Sequence, residues 1–177
     1  MWEEDEEVHA SSVGACVAGL KAVSKIPKIK VPKGLILKGK KTLNSLLPRE
    51  SKGKFVDLAL LSLIYPYGVA TPAQEKEILK NVEYLLLKRR GTIRYKNDHY
   101  YNKNPDKYSE EAEWTFGISW LAIIYEKKGN KKKAKSFLDK IIKENSLDIN
   151  KNFISLIALN CSGIKNKDLN TYKCRSN

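Results

Sequence analysis

Residues 55–65 read FVDLALLSLIY, with apolar side chains on nearly every face of a helix drawn through them. A helix on a surface keeps one polar face, so this stretch predicts a helix buried between others. Pro66 and Gly68 stop it. The next helix begins at Thr71, a candidate N-cap, with Pro72 at the first helical position and Gln74 completing a capping box; Ile78, Leu79, Val82, Leu85 and Leu86 follow on one face.

Helical spacing continues in both directions. Upstream, residues 8–25 carry Val13, Cys16, Val17, Leu20 and Val23 at helical intervals, while Gly14, Ala15, Ala18 and Gly19 permit close helix contact and Pro27 ends the element. Residues 26–41 read as an irregular Pro/Gly/Lys segment. Downstream, residues 111–128 and 131–144 form a helical hairpin around Gly129 and Asn130, and a shorter helix is expected over 149–159. No run of strict two-residue alternation is found, so the chain is expected to be all-α, with about seven helices over 1–160 and a loosely ordered tail over 161–177.

Composition narrows the classes of function. The chain has 177 residues, 33 Lys+Arg against 20 Asp+Glu and a net charge of +13. The longest apolar run falls short of the roughly 18 to 20 residues that span a bilayer, and the opening Met1-Trp2-Glu3-Glu4-Asp5-Glu6-Glu7 is unlike a signal peptide. Cys16, Cys161 and Cys174 form no metal or disulfide pattern, and His9 and His99 stand far apart. A cytoplasmic protein without metal or cofactor is therefore expected. Residues 21–54 hold eleven basic side chains and one acid, Glu50, but the Lys-over-Arg bias and absence of interleaved aromatics suit a solvated connection; no specific nucleic-acid partner and no membrane are expected.

Two constellations remain. The acidic turn at residues 3–7 suits the positive end of the first helix dipole, or supplies a general acid if Trp2 helps to bury a carboxyl. The long segment 91–110 holds Arg94, Tyr95, Asp98, Tyr100, Tyr101 and Asn102, with Trp114 beyond it. A cation, a carboxylate, phenols and flat rings suit the hydroxyl edges and C–H faces of a sugar, or a tyrosine-rich loop packed on a helical surface.

In order, Trp2-Glu3-Glu4 before a small-residue helix, FVDLALLSLIYPYGV at 55–69, TIRYKNDHYYN at 92–102 and EWTFGISWLAIIYEKKGNKKKA at 113–134 resemble the second half of glycoside hydrolase family 15, the glucoamylase-like and glucodextranase-like enzymes and trehalases. The resemblance implies part of an (α/α)6 toroid and inverting hydrolysis of α-glucosides from non-reducing ends. In that chemistry one carboxylic acid protonates the leaving oxygen and a carboxylate roughly 6.5 to 9.5 Å away activates water. By the family pattern Glu3 is the general acid, and Trp2, Glu4, Arg94, Asp98, Tyr100, Tyr101 and Trp114 contact an α-glucan or oligosaccharide.

The resemblance breaks in two places. The family's longer amphipathic helix is not expected within 26–41, and the later segment that should carry the general base offers only Glu144 and Asp148. The general base is therefore expected to be absent, and the chain to be a truncated second half with little turnover alone. An exposed apolar flank at 55–65 would then drive aggregation or association with a missing N-terminal half. Two alternatives differ in class: an inactive sugar-binding remnant, and a tetratricopeptide-like binding module suggested by residues 120–142. The second lacks another copy at a period of about 34 residues.

Overall fold

The computed structural model describes residues 6–98 and 112–145. The acidic turn with Trp2, Glu3 and Glu4, the pair Tyr100 and Tyr101, the helix expected over 149–159 and the tail lie outside the described residues. Five α-helices and one 3-10 helix make up the described secondary structure, with no strand beyond isolated bridges, so the chain is all-α, as expected for part of an α/α toroid. Among the described residues no helix is long and apolar enough to cross a membrane. Two compact units divide the chain, Met1–Gly117 and Ile118–Asn177.

The first unit is organised by the segment quoted at the outset. It is buried as expected, but as a tight 3-10 helix, Leu58–Leu63, capped by Asp57, whose Oδ1 accepts from the Ala59 amide at 2.8 Å. All-round apolarity dictated burial without specifying the helix type. Leu58, Leu60, Leu61 and Leu63 are wholly buried, and each contributes roughly 2 kcal/mol relative to exposure. Of the apolar flank expected to drive aggregation, Val56 and Leu58–Leu63 are therefore enclosed, Ile64 and Tyr65 are half-buried, and Phe55 stays exposed at 41%.

Helix α1, Ala10–Val23, packs on this 3-10 helix and on α2, Leu35–Leu46. The small residues of α1 act as the sequence suggested: a Cβ on Gly14 would stand 2.1 Å from Leu63 Cδ2. In return, Val17 of α1 lies against Gly39 of α2, where a Cβ would meet its Cγ2 at 2.4 Å. Helix α2 corrects the reading of 26–41 as irregular. Only the turns before Gly34 are irregular; Gly34 enters the helix with φ +80°, and Ile36, Gly39, Leu43 and Leu46 then recur on one side while Lys38, Lys40 and Lys41 stay exposed. The density of Pro, Gly and Lys had hidden an amphipathic helix.

Helix α3, Pro72–Leu85, has the expected reciprocal cap. The Gln74 amide donates to Thr71 Oγ1 at 3.4 Å, and the Thr71 amide donates to Gln74 Oε1 at 2.9 Å. Ile78, Leu79 and Val82 are buried, and α3 packs on the 3-10 helix.

In the second unit the helical hairpin forms as expected. Helix α4, Phe116–Lys127, begins in the first unit, and α5 spans Lys131–Asn145. The Gly129 amide donates to Glu126 O and the Asn130 amide to Tyr125 O, with Gly129 at φ +76°, so a Schellman turn closes α4. Asn130 Oδ1 then accepts from the Lys133 amide at 3.1 Å and starts α5. Tyr125 stacks on Phe137 at 5.9 Å, and Ala134 is buried at 6% exposure.

Candidate functional site

The described part of the long segment is pinned by the backbone. Thr92 and Trp114 exchange both amide hydrogen bonds, at 2.9 and 2.8 Å, Ile93 donates to Leu86 O, and Leu58 donates to Arg94 O at 2.8 Å. Gly91 makes this approach possible, since a Cβ there would lie 2.7 Å from Trp114 O and 2.8 Å from Trp114 N. The Glu113 carboxylate adds a clamp, accepting from the Arg90 and Gly91 amides at 2.6 and 2.8 Å.

Three of the residues singled out in the sequence, Arg94, Asp98 and Trp114, lie in the two segments that this pairing joins. Arg94 and Asp98 form a two-pronged ion pair, Nε to Oδ2 at 2.5 Å and Nη2 to Oδ1 at 2.6 Å, with Asp98 only 2% exposed. The turn between them passes through Asn97 at φ +65°. Trp114 bridges Thr92, two residues before Arg94 in the chain, and its indole is tilted against Phe116 at 6.3 Å. A fork-to-carboxylate pair removes most of the torsional freedom of a guanidinium and presents it in a fixed plane. Trp2, Glu3, Glu4, Tyr100 and Tyr101 lie outside the described residues.

The same end of the unit holds a charged cluster that sequence reasoning missed. Lys54 Nζ stands 3.8 Å above the Tyr95 ring and 3.5 Å from Asp57 Oδ2, and Asp57 bridges to Tyr95 along the backbone. Four residues before Lys54 is Glu50, 1% exposed. Its Oε1 accepts from Ser11 Oγ at 2.5 Å and from the Ser11 amide at 3.3 Å, and its carbonyl accepts from the Ala10 amide at 2.7 Å. His9 Nδ1 lies 3.6 Å from the same oxygen. Glu50 Oε2 and His9 Nε2 are buried and have no hydrogen-bond partner among the described residues.

Burial pushes the Glu50 carboxyl up to about 7, the negative charge of Asp57 adds to the rise, and the Ser11 hydrogen bonds oppose it. Glu7 moves the other way: hydrogen bonds from the Ser51 hydroxyl and Gly53 amide hold its carboxylate below the usual range, the Gly53 amide standing 2.9 and 3.0 Å from its two oxygens. Two carboxylates thus fasten residues 7–11, from the last acid of the N-terminal acidic stretch into α1, to the 50–53 turn. The sequence held one clue to this, since Glu50 is the sole acid among eleven basic residues. Among the described residues no group of three His, Cys, Asp or Glu side chains could hold a metal ion.

No family model matches the chain, and no curated protein does. A solved structure of a wild-type glycosidase does match, with a TM-score of 0.61 at 21% identity, over 78% of this chain and 40% of that one. The chain therefore has a glycosidase-like fold and spans less than half the length of that glycosidase.

Proposed function

We propose that the chain is a glycoside-hydrolase-like protein of the glucoamylase kind that binds the non-reducing ends of α-glucans. The observation that carries this reading is the buried Arg94–Asp98 fork, in the segment that Thr92 pairs with Trp114, on a fold shared with a glycosidase. A guanidinium held in one plane donates in fixed directions to sugar hydroxyls, and an indole offers a face for their C–H groups.

In this reading Glu3 is the general acid, and Trp2, Glu4, Tyr100, Tyr101 and Trp114 complete the sugar contacts with Arg94 and Asp98. Inversion needs a second carboxylate on the far side of the sugar to activate water. Residues 144–177 contain no segment of the resembled family's kind to supply it, so binding outlasts turnover. Glu7 and Glu50 are positioning residues: they fix the start of α1 and so the chain that follows the acidic stretch.

The test is calorimetric titration of the full chain with maltooligosaccharides, isomaltooligosaccharides and trehalose, beside an assay of released glucose. Expected are binding of at least one of these sugars, weakened in Trp114→Ala, and little turnover, any of which disappears in Glu3→Gln. Failure to bind any of the three, or turnover that persists in Glu3→Gln, overturns the reading.

A further inference from the structure

At the end of α1 remote from the Glu50 cluster, the chain exposes a second kind of surface. The fourteen residues of α1 span about 21 Å, which separates Val23 from Ala10. From Lys21 to Lys41 the sequence holds eight lysines, no arginine, no acid and no aromatic residue. Interleaved with them are Val23, Ile26, Ile29, Leu35 and Leu37, at 37, 50, 48, 41 and 57% exposure, five of the chain's eight exposed large hydrophobic residues among those described. The turns that carry them are ordered by backbone bonds, Ile26 to Val23 O at 3.0 Å, Ile29 to Ile26 O at 3.3 Å and Leu35 to Pro32 O at 3.3 Å. None of the eight lysine side chains makes an ion pair or hydrogen bond among the described residues.

From this juxtaposition we infer that residues 21–41 form a peripheral docking surface for an anionic phospholipid bilayer. Each lysine within reach of such a surface strengthens attachment about fivefold, and lysine stems lie along apolar material while their ammonium groups stay in water. Exposed aliphatic side chains enter the boundary between headgroups and acyl chains without needing matched pockets. That favours a bilayer over an acidic protein, which would need an apolar surface shaped to the spread of five aliphatic side chains amid its acidic groups. A nucleic acid would reward the lysines and leave the aliphatic residues in water, and the segment has none of the aromatic rings on which bases stack. The exposure of these aliphatic side chains revises the sequence expectation of no membrane, which took this lysine-rich stretch for a merely solvated connection; such docking is interfacial and needs no spanning helix. It is independent of the sugar-binding reading, since none of the eight lysines and five aliphatic residues is among those assigned to sugar contact.

The experiment is co-sedimentation of the full chain with vesicles of phosphatidylcholine alone, vesicles containing about one-third phosphatidylserine, and, separately, a DNA duplex by fluorescence anisotropy. Expected is at least tenfold tighter binding to the anionic vesicles than to the neutral ones, weakened by added salt. Replacing Lys28, Lys30 and Lys33 together by Gln lowers it about a hundredfold. Ile26→Ser with Ile29→Ser lowers vesicle binding about tenfold or more and leaves any DNA binding unchanged, and Tyr84→Ser, at the exposed face of α3, changes neither. Equal binding to both vesicle types, no binding at low salt, or anionic-vesicle binding unaltered by the two Ile→Ser changes overturns the inference; the last outcome, with DNA binding retained, identifies simple polyanion attraction.

Discussion

Ser11 at the start of α1 is capped by Glu50, a residue 39 positions away, whose Oε1 accepts both its amide and its hydroxyl. His9, the residue in the N-cap position, makes no side-chain cap. The first turn of α1 is therefore completed by tertiary structure, and the group that completes it is a buried acid.

That acid makes stability depend on pH. The Glu50 carboxyl titrates near 7 in the folded chain and near 4.5 when unfolded, so between those values the folded state holds the extra proton. Its stabilising contribution is full below about pH 4.5 and is lost as pH rises through 7. Urea denaturation from pH 5 to 8 should show a decline of a few kcal/mol in the wild-type chain that is reduced in Glu50→Gln. Parallel pH profiles for the two proteins would remove Glu50 as the source.

Three glycines should respond differently to the same change. Gly19→Ala meets nothing within 4 Å on a helix and should stabilise by up to about 1 kcal/mol. Gly14→Ala drives a methyl into Leu63, whose side chain is enclosed, and should cost about 1 to 3 kcal/mol. Gly91→Ala meets the backbone of residues 113 and 114, which cannot rotate away, and should cost the most. Thermal melts of the three variants check this order.

Breaking the Arg94–Asp98 pair from one side should cost about 3 to 5 kcal/mol, because each single change leaves its partner charge buried. Replacing both residues by apolar ones of similar volume should cost less than the sum of the single changes. A double-mutant cycle measured by chemical denaturation gives the coupling directly. Additive single costs would mean that the pair does not act as a unit.

Loss of the Thr71 hydroxyl should be milder. Thr71→Ala removes one half of the capping box at an exposed helix start and should cost about 1 kcal/mol, whereas Thr71→Ser should cost little. Comparing the two melting curves tests whether the hydroxyl, rather than the residue's bulk, starts α3.

What could be read from the sequence was the local part of the structure. The box at Thr71 and Gln74 depends on residues three apart, and the Schellman turn at Gly129 on residues within one turn. The proximity of Arg94 and Asp98 also follows from short spacing, although a turn rather than a helix joins them. Helix α2 was obscured because Gly34 and Gly39 look like breakers; one starts the helix in a left-handed conformation and the other admits Val17. Residues 55–65 declared their burial through all-round apolarity, which carries no information on whether the turn is α or 3-10. Glu50 could not be assigned because its partners, Ala10 and Ser11, belong to another element.

The borrowed cap also alters how the chain opens. Helix ends ordinarily fray, and their first amides exchange with solvent by small local fluctuations. In this chain the amides of Ala10 and Ser11 are released only when the 50–53 turn detaches from α1. Their exchange with deuterium therefore follows the cooperative opening of that unit, so the point where a helix is usually loosest becomes a reporter on the unit's integrity.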